Sequence, residues 1–116
     1  MVTLLESKPS AEQLEQMLEA LDIYIKLAVD VDREILAGGG ALHADCETVL
    51  LENGCVQENI WGADWLPQGK RVTFESLINI RPRQNNLSLE VQDEKLKIRI
   101  EKIVRKIFED ETDKES

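Results

Sequence analysis

The chain has 116 residues and a formal net charge of -9, with 42% hydrophobic and 32% charged residues. This composition excludes an intrinsically disordered chain, and no apolar run approaches the roughly 20 residues that span a bilayer, so no membrane contact is expected. An acidic surface repels phosphate backbones, which argues against nucleic acid as a partner.

The length fits one domain, expected over residues 1–108. Val2 to Leu5 reads as a short strand. Pro9-Ser10 then precedes a helix, and Ser10 with Gln13 three residues on is a capping box, each side chain satisfying an amide that the first turn leaves free. Leu14, Met17, Leu18, Leu21, Ile25 and Ala28 form one stripe at helical period, a core face. From Ala28, Val29, Val31 and Ile35 alternate with Asp30, Asp32 and Glu34 at strand period, with a helix continuing through residue 36 as the competing reading. Gly38-Gly39-Gly40 ends either element and allows a tight reversal. No Lys-Ser/Thr pair follows it, so it does not make a phosphate loop.

Asn53-Gly54 between two apolar runs signals a two-residue turn, which predicts a hairpin of residues 42–52 and 55–65. Pro67-Gln68-Gly69 supplies the next turn, and residues 71–81 the next strand, ended by Pro82. Asp93 caps a last helix with the stripe Leu96, Ile100, Ile103 and Ile107, flanked by Val104 and Phe108. The fold class is therefore α+β: a two-layer sandwich, with an antiparallel sheet of four or five strands and two helices on one face. Residues 109–116 carry five acids, Lys114 and no apolar residue, and are expected to be a disordered tail.

Charge is unevenly spread. Residues 1–64 carry 13 acids against Lys8, Lys26 and Arg33, whereas residues 65–108 carry ten bases against five acids. The basic segment is read as packing beside the acidic one within the fold or across a homodimer. Lys95, Arg99, Lys102 and Lys106 form a solvated basic flank on the last helix. The start of the chain has neither a basic region nor a long apolar segment, so no secretory signal is expected and the cytoplasm is the expected compartment. Cys46 and Cys55 are then expected to be reduced thiols, held roughly 20 Å apart along the hairpin ladder at ~3.3 Å per residue.

Val29-Asp30-Val31-Asp32-Arg33-Glu34-Ile35, Gly39-Gly40 with Leu42-His43-Ala44-Asp45, Gln57-Glu58-Asn59-Ile60-Trp61-Gly62, and Ile78-Asn79-Ile80-Arg81-Pro82 with Gln84 follow one another through the middle of the chain. In these residues the chain resembles a family of small prokaryotic proteins of unknown function, and the resemblance covers about residues 25–108. The chain departs from the family pattern at Arg83, where a serine is usual, and at Asn85, where a glycine is usual. The resemblance implies a compact single domain and carries no activity.

Two polar constellations are candidate sites. The hairpin register places His43, Asp45, Glu47, Glu58 and Asp64 on one sheet face, where His43, Asp45 and Glu58 could hold a divalent metal such as Mn²⁺ or Zn²⁺. Beyond this divalent metal no cofactor is implied. Asn79, Arg81 and Arg83, beside Gln84, Asn85 and Asn86, offer guanidinium forks and amides suited to an anionic small molecule, or else neutralise Glu47, Glu58 or Asp45. Any ligand pocket is expected where His43, Asp45, Glu58 and the Arg81-Pro82-Arg83 loop meet. Trp61 and Trp65 share a strand face with Gln57 and Asn59, and core packing under a helix accounts for them. No nucleophile elbow, phosphate loop, zinc motif or dinucleotide fingerprint occurs. The expected function is a binding or interaction module for an anionic small molecule or a partner protein, more readily than an enzyme. The alternative is a metal-dependent hydrolase using His43, Asp45 and Glu58.

Overall fold

A five-stranded antiparallel sheet forms the middle of the molecule in a computed structural model that describes residues 2–109. Its strands are β1 (Thr3–Leu5), β2 (Ile25–Asp30), β3 (Ile35–Gly38), β4 (Ile60–Leu66) and β5 (Arg71–Thr73), in the spatial order β1-β3-β2-β4-β5. Helices α1 (Ala11–Leu18) and α3 (Glu94–Glu109) pack on one face. The α+β class and the antiparallel sheet are as read from the sequence. A third helix, α2 (His43–Glu52), covers the opposite face, so the sheet has helices on both sides rather than the two layers expected.

The central strand β2 shows why. Ile25, Leu27 and Val29 face the α1/α3 side and Ala28 the α2 side, so β2 is buried on both faces and its sequence is a near-continuous apolar run. Ile25 and Ala28 thus fit a helical stripe by spacing alone, yet helix α1 stops at Leu18, and Asp22 turns the chain at φ +62°. The Ser10–Gln13 capping box is present, with both bonds at 3.0–3.1 Å. The expected strand over 29–35 is instead the end of β2, a tight turn and the start of β3. Asp30 Oδ1 accepts from the amides of Asp32 and Arg33 at 2.8 and 3.0 Å, which folds the turn back on itself.

The expected hairpin at Asn53-Gly54 is corrected to a helix end. Gly54 adopts φ +89°, its amide donates to Leu51 O at 3.1 Å, and the Cys55 amide donates to Leu50 O at 3.0 Å. This is a Schellman stop, which shares with a type I′ turn the need for left-handed backbone at the glycine, while Asn53, left-handed in such a turn, stays at φ -100°. Arg33 completes the cap by donating to Asn53 O and Gly54 O at 3.0 and 2.9 Å. Within α2, Cys46 and Leu50 lie four apart and are buried, a spacing that also fits strand alternation.

With the hairpin gone, the ladder separation of the cysteines falls too. Cys46 and Cys55 are free thiols buried in one apolar cluster with Ala28, Ala37, Leu50 and Ile60. Strand β5 is only three residues long, and the expected strand to residue 81 is replaced by 3-10 turns at Leu77–Asn79 and Pro82–Gln84. Asp93 caps α3 as expected, and Ile100, Ile103, Val104 and Ile107 are its buried stripe. Trp65 stacks on Phe108 of α3 with ring centroids 5.2 Å apart. Glu109, assigned by sequence to the acidic tail, is the last residue of α3 and pairs with Arg105; residues 110–116 lie outside the described residues.

Candidate functional site

Because β5 pairs only with residues 64–66 of β4, the outer edge of β4 at Gly62 has no strand beside it. The side chain of Asn79 takes that place. Its Oδ1 accepts from the Gly62 amide at 2.8 Å and its Nδ2 donates to Gly62 O at 3.1 Å, so one amide group imitates a strand residue. Gly62 is required there, since a Cβ on it would sit 2.5 Å from Ser76 Cβ.

Asn79 Nδ2 also reaches Phe74 O and Leu89 O, at 3.1 and 3.2 Å. The two ends of the loop 76–89 are thereby tied to each other, helped by Ser76 N donating to Leu89 O and Val91 N to Phe74 O. Asn86 stitches the far side, donating to the carbonyls of Asn79, Ser88 and Glu90 while its Oδ1 accepts from Gln92 N. A surface loop with closed ends, held by its own side chains, is an Ω-loop in form.

Arg81 fastens this loop to the start of β4. Nε donates to Ile78 O, Nη1 to Gln57 O and Gln84 Oε1, and Nη2 to Ile60 O and Glu47 Oε2. All five donors are occupied, and the guanidinium lies 4.8 Å over the Trp61 ring. Burial pulls its pKa down from the ordinary value, with Glu47 and then Glu58 opposing. An arginine cannot lose its proton in a protein, so the charge stays and Glu47, 3.3 Å away, balances it. The Gln84 amide donates to Glu58 O at 3.0 Å. Asn85 sits at φ +60°, a conformation that glycine takes freely and asparagine tolerates better than most residues, which explains asparagine at this position.

What the loop displays is apolar. Leu77, Ile80, Leu87 and Leu89 are 78, 45, 71 and 43% exposed on a backbone held from within by Asn79, Arg81 and Asn86. Clefts flank it on two sides. One, of about 540 Å³, runs between Glu47, Glu58, Leu77, Ile80, Arg81 and Arg83. The other, of about 310 Å³, runs between Lys26, Leu42, His43, Ser76, Leu77 and Leu89.

The sequence-predicted site residues are therefore divided. Glu58, Arg81 and Arg83 line one cleft, which His43 and Asp45 do not share, while Asn79 is fully buried beneath it. His43 starts α2 and lines the other cleft, with Nε2 2.8 Å from Asp64 Oδ1 and 3.1 Å from Ala63 O. Asp45 is exposed and accepts from the Leu42 amide at 3.3 Å as part of the helix cap. The shared sheet face of His43, Asp45 and Glu58 does not exist, because 43–52 is helical. Among the described residues no group of three His, Cys, Asp or Glu is placed to hold a metal. Sequence reasoning missed the leucines. Leu77, and Leu87-Ser88-Leu89 amid polar residues, were the available signal, since a solvated loop has no core reason to carry them.

These features define an α+β fold with an apolar surface loop held by its own buried polar side chains. The chain belongs to the family described as protein of unknown function (DUF5674), which matches residues 3–107. No curated protein and no solved structure matches it. Among the described residues no helix is long and apolar enough to cross a membrane.

Proposed function

We propose that the protein is an interaction module that docks a partner protein on the loop 76–89. The observation that carries this reading is the combination of buried polar side chains that fix the loop from beneath with four exposed aliphatic side chains on top. Exposed apolar surface on a rigid frame favours association, because burying it is favourable and little ordering entropy is lost. The partner offers aliphatic side chains. Arg83, exposed and without an ion pair among the described residues, favours a carboxylate at the rim, in keeping with the anionic ligand expected from sequence.

Selection from a displayed library of random peptides tests this. Enriched peptides should combine aliphatic residues with Asp or Glu and lose binding to Leu77→Glu, a variant that should melt like wild type. Failure to enrich any sequence, or peptides that bind Leu77→Glu equally well, would overturn the reading. Sedimentation of the same two proteins tests the expected homodimer: a dimer dissolved by Leu77→Glu identifies a second copy as the partner.

A further inference from the structure

The cleft between α2 and the loop holds an imidazole with one free nitrogen. Both neighbours of His43 Nε2, the Asp64 carboxylate and the Ala63 carbonyl, are hydrogen-bond acceptors, so Nε2 carries the proton. Asp64 is itself held, its Oδ2 accepting from Thr73 Oγ1 at 2.8 Å. In the neutral ring Nδ1 is then an acceptor. Among the described residues it has no partner, whereas every fully buried side-chain nitrogen or oxygen does have one, so solvent reaches Nδ1 although the His43 side chain is only 11% exposed. The surrounding walls are mainly apolar, Leu42, Ala44, Leu77, Ile78 and Leu89, with Lys26, Glu75 and Ser76 beside them.

We infer that this cleft binds a small molecule with an apolar body and one hydroxyl group, whose O–H donates to His43 Nδ1. The apolar walls supply contact area, and the fixed tautomer supplies direction: an acceptor selects a donor and gives nothing to an ether of the same shape. The volume of about 310 Å³ suits a molecule of that size. The cleft goes beyond the docking reading but shares Leu77 and Leu89 with that face of the loop, and its test uses no protein ligand.

The test titrates 4-ethylphenol and its methyl ether, 4-ethylanisole, into the protein at pH 8, following the imidazole nitrogens of His43 by NMR. The phenol should shift the Nδ1 signal and bind about tenfold more tightly than the ether, the worth of one hydrogen bond. His43→Ala should make the two probes equal. Ala44→Trp, at an exposed position on the wall, should abolish binding of both while leaving the His43–Asp64 pair in place. No Nδ1 shift at millimolar phenol, equal affinities on wild type, or undiminished binding to Ala44→Trp would overturn the inference.

Discussion

Replacing Asn79 with alanine isolates what holds the loop. The Gly62 amide and carbonyl are buried and among the described residues their only partner outside the sheet is the Asn79 side chain, whereas Phe74 O and Leu89 O keep the amides of Val91 and Ser76. Two buried polar groups would therefore be left unpaired, each costing about 1–3 kcal/mol, or about 4 kcal/mol together. Against the ~5–15 kcal/mol that holds a domain of this size, the loss is large, equivalent to a fall in melting temperature of roughly 15–20 °C. Leu77→Ala, at a side chain that is 78% exposed, should change stability by no more than about 0.5 kcal/mol. Urea unfolding of both variants beside wild type measures the contrast. Asn79→Ala within about 1 kcal/mol of wild type would refute the reasoning, because it would mean that water already serves the edge of β4 at Gly62.

Gly62→Ala should destabilise by about 1–3 kcal/mol, and its amide spectrum should change across residues 76–79, since the new Cβ would sit 2.5 Å from Ser76 Cβ; a wild-type melting temperature would count against the close approach. Arg33→Ala should cost about 1 kcal/mol in urea unfolding by uncapping α2, and Arg33→Lys should recover only part of it, because one ammonium cannot reproduce the two-pronged contact. Burial pushes the Cys46 thiol up from 9.0 to about 11, and burial followed by Asp30 does the same to Cys55. The folded state thus holds these protons more tightly than the unfolded state, so the stability they contribute is complete below pH 9 and lost as pH rises toward 11. At pH 10 the Cys46 contribution to this loss is about 1.4 kcal/mol, and Cys46→Ala should show a correspondingly shallower decline between pH 8 and 10. Identical declines in the two proteins would contradict the assignment.

The elements legible in the sequence are those with a single physical explanation. The Ser10 and Asp93 caps, the α3 stripe and the Pro67-Gln68-Gly69 turn each had no competitor. Asn53-Gly54 had two, since a hairpin turn and a helix stop both take a left-handed glycine, and the bonds to Leu50 and Leu51 decide between them. The same ambiguity moved His43 and Asp45 from a helix onto a strand and created a metal constellation that the fold does not assemble. Ile25 and Ala28 misled because a strand buried on both faces loses its alternation.

The arginine loop was legible in part. Arg81 and Glu47 do pair, but nothing local to Asn79 shows that its amide stands in for a missing strand beside Gly62. Gly62, Asn79, Arg81 and Gln84, all among the residues that carry the family resemblance, meet at this joint. They bind the loop 76–89 to residues 57–62, on opposite sides of a single joint.

The central claim, that the loop is rigid before any partner arrives, is tested most directly by amide hydrogen exchange on the free protein. The amides of Ser76, Arg81, Asn86 and Val91, each bonded to a backbone carbonyl at 2.7–3.1 Å, should exchange as slowly as the Gly62 amide of β4. Exchange of these four at the rate of an unstructured peptide, with Gly62 protected, would show a mobile loop and contradict the account.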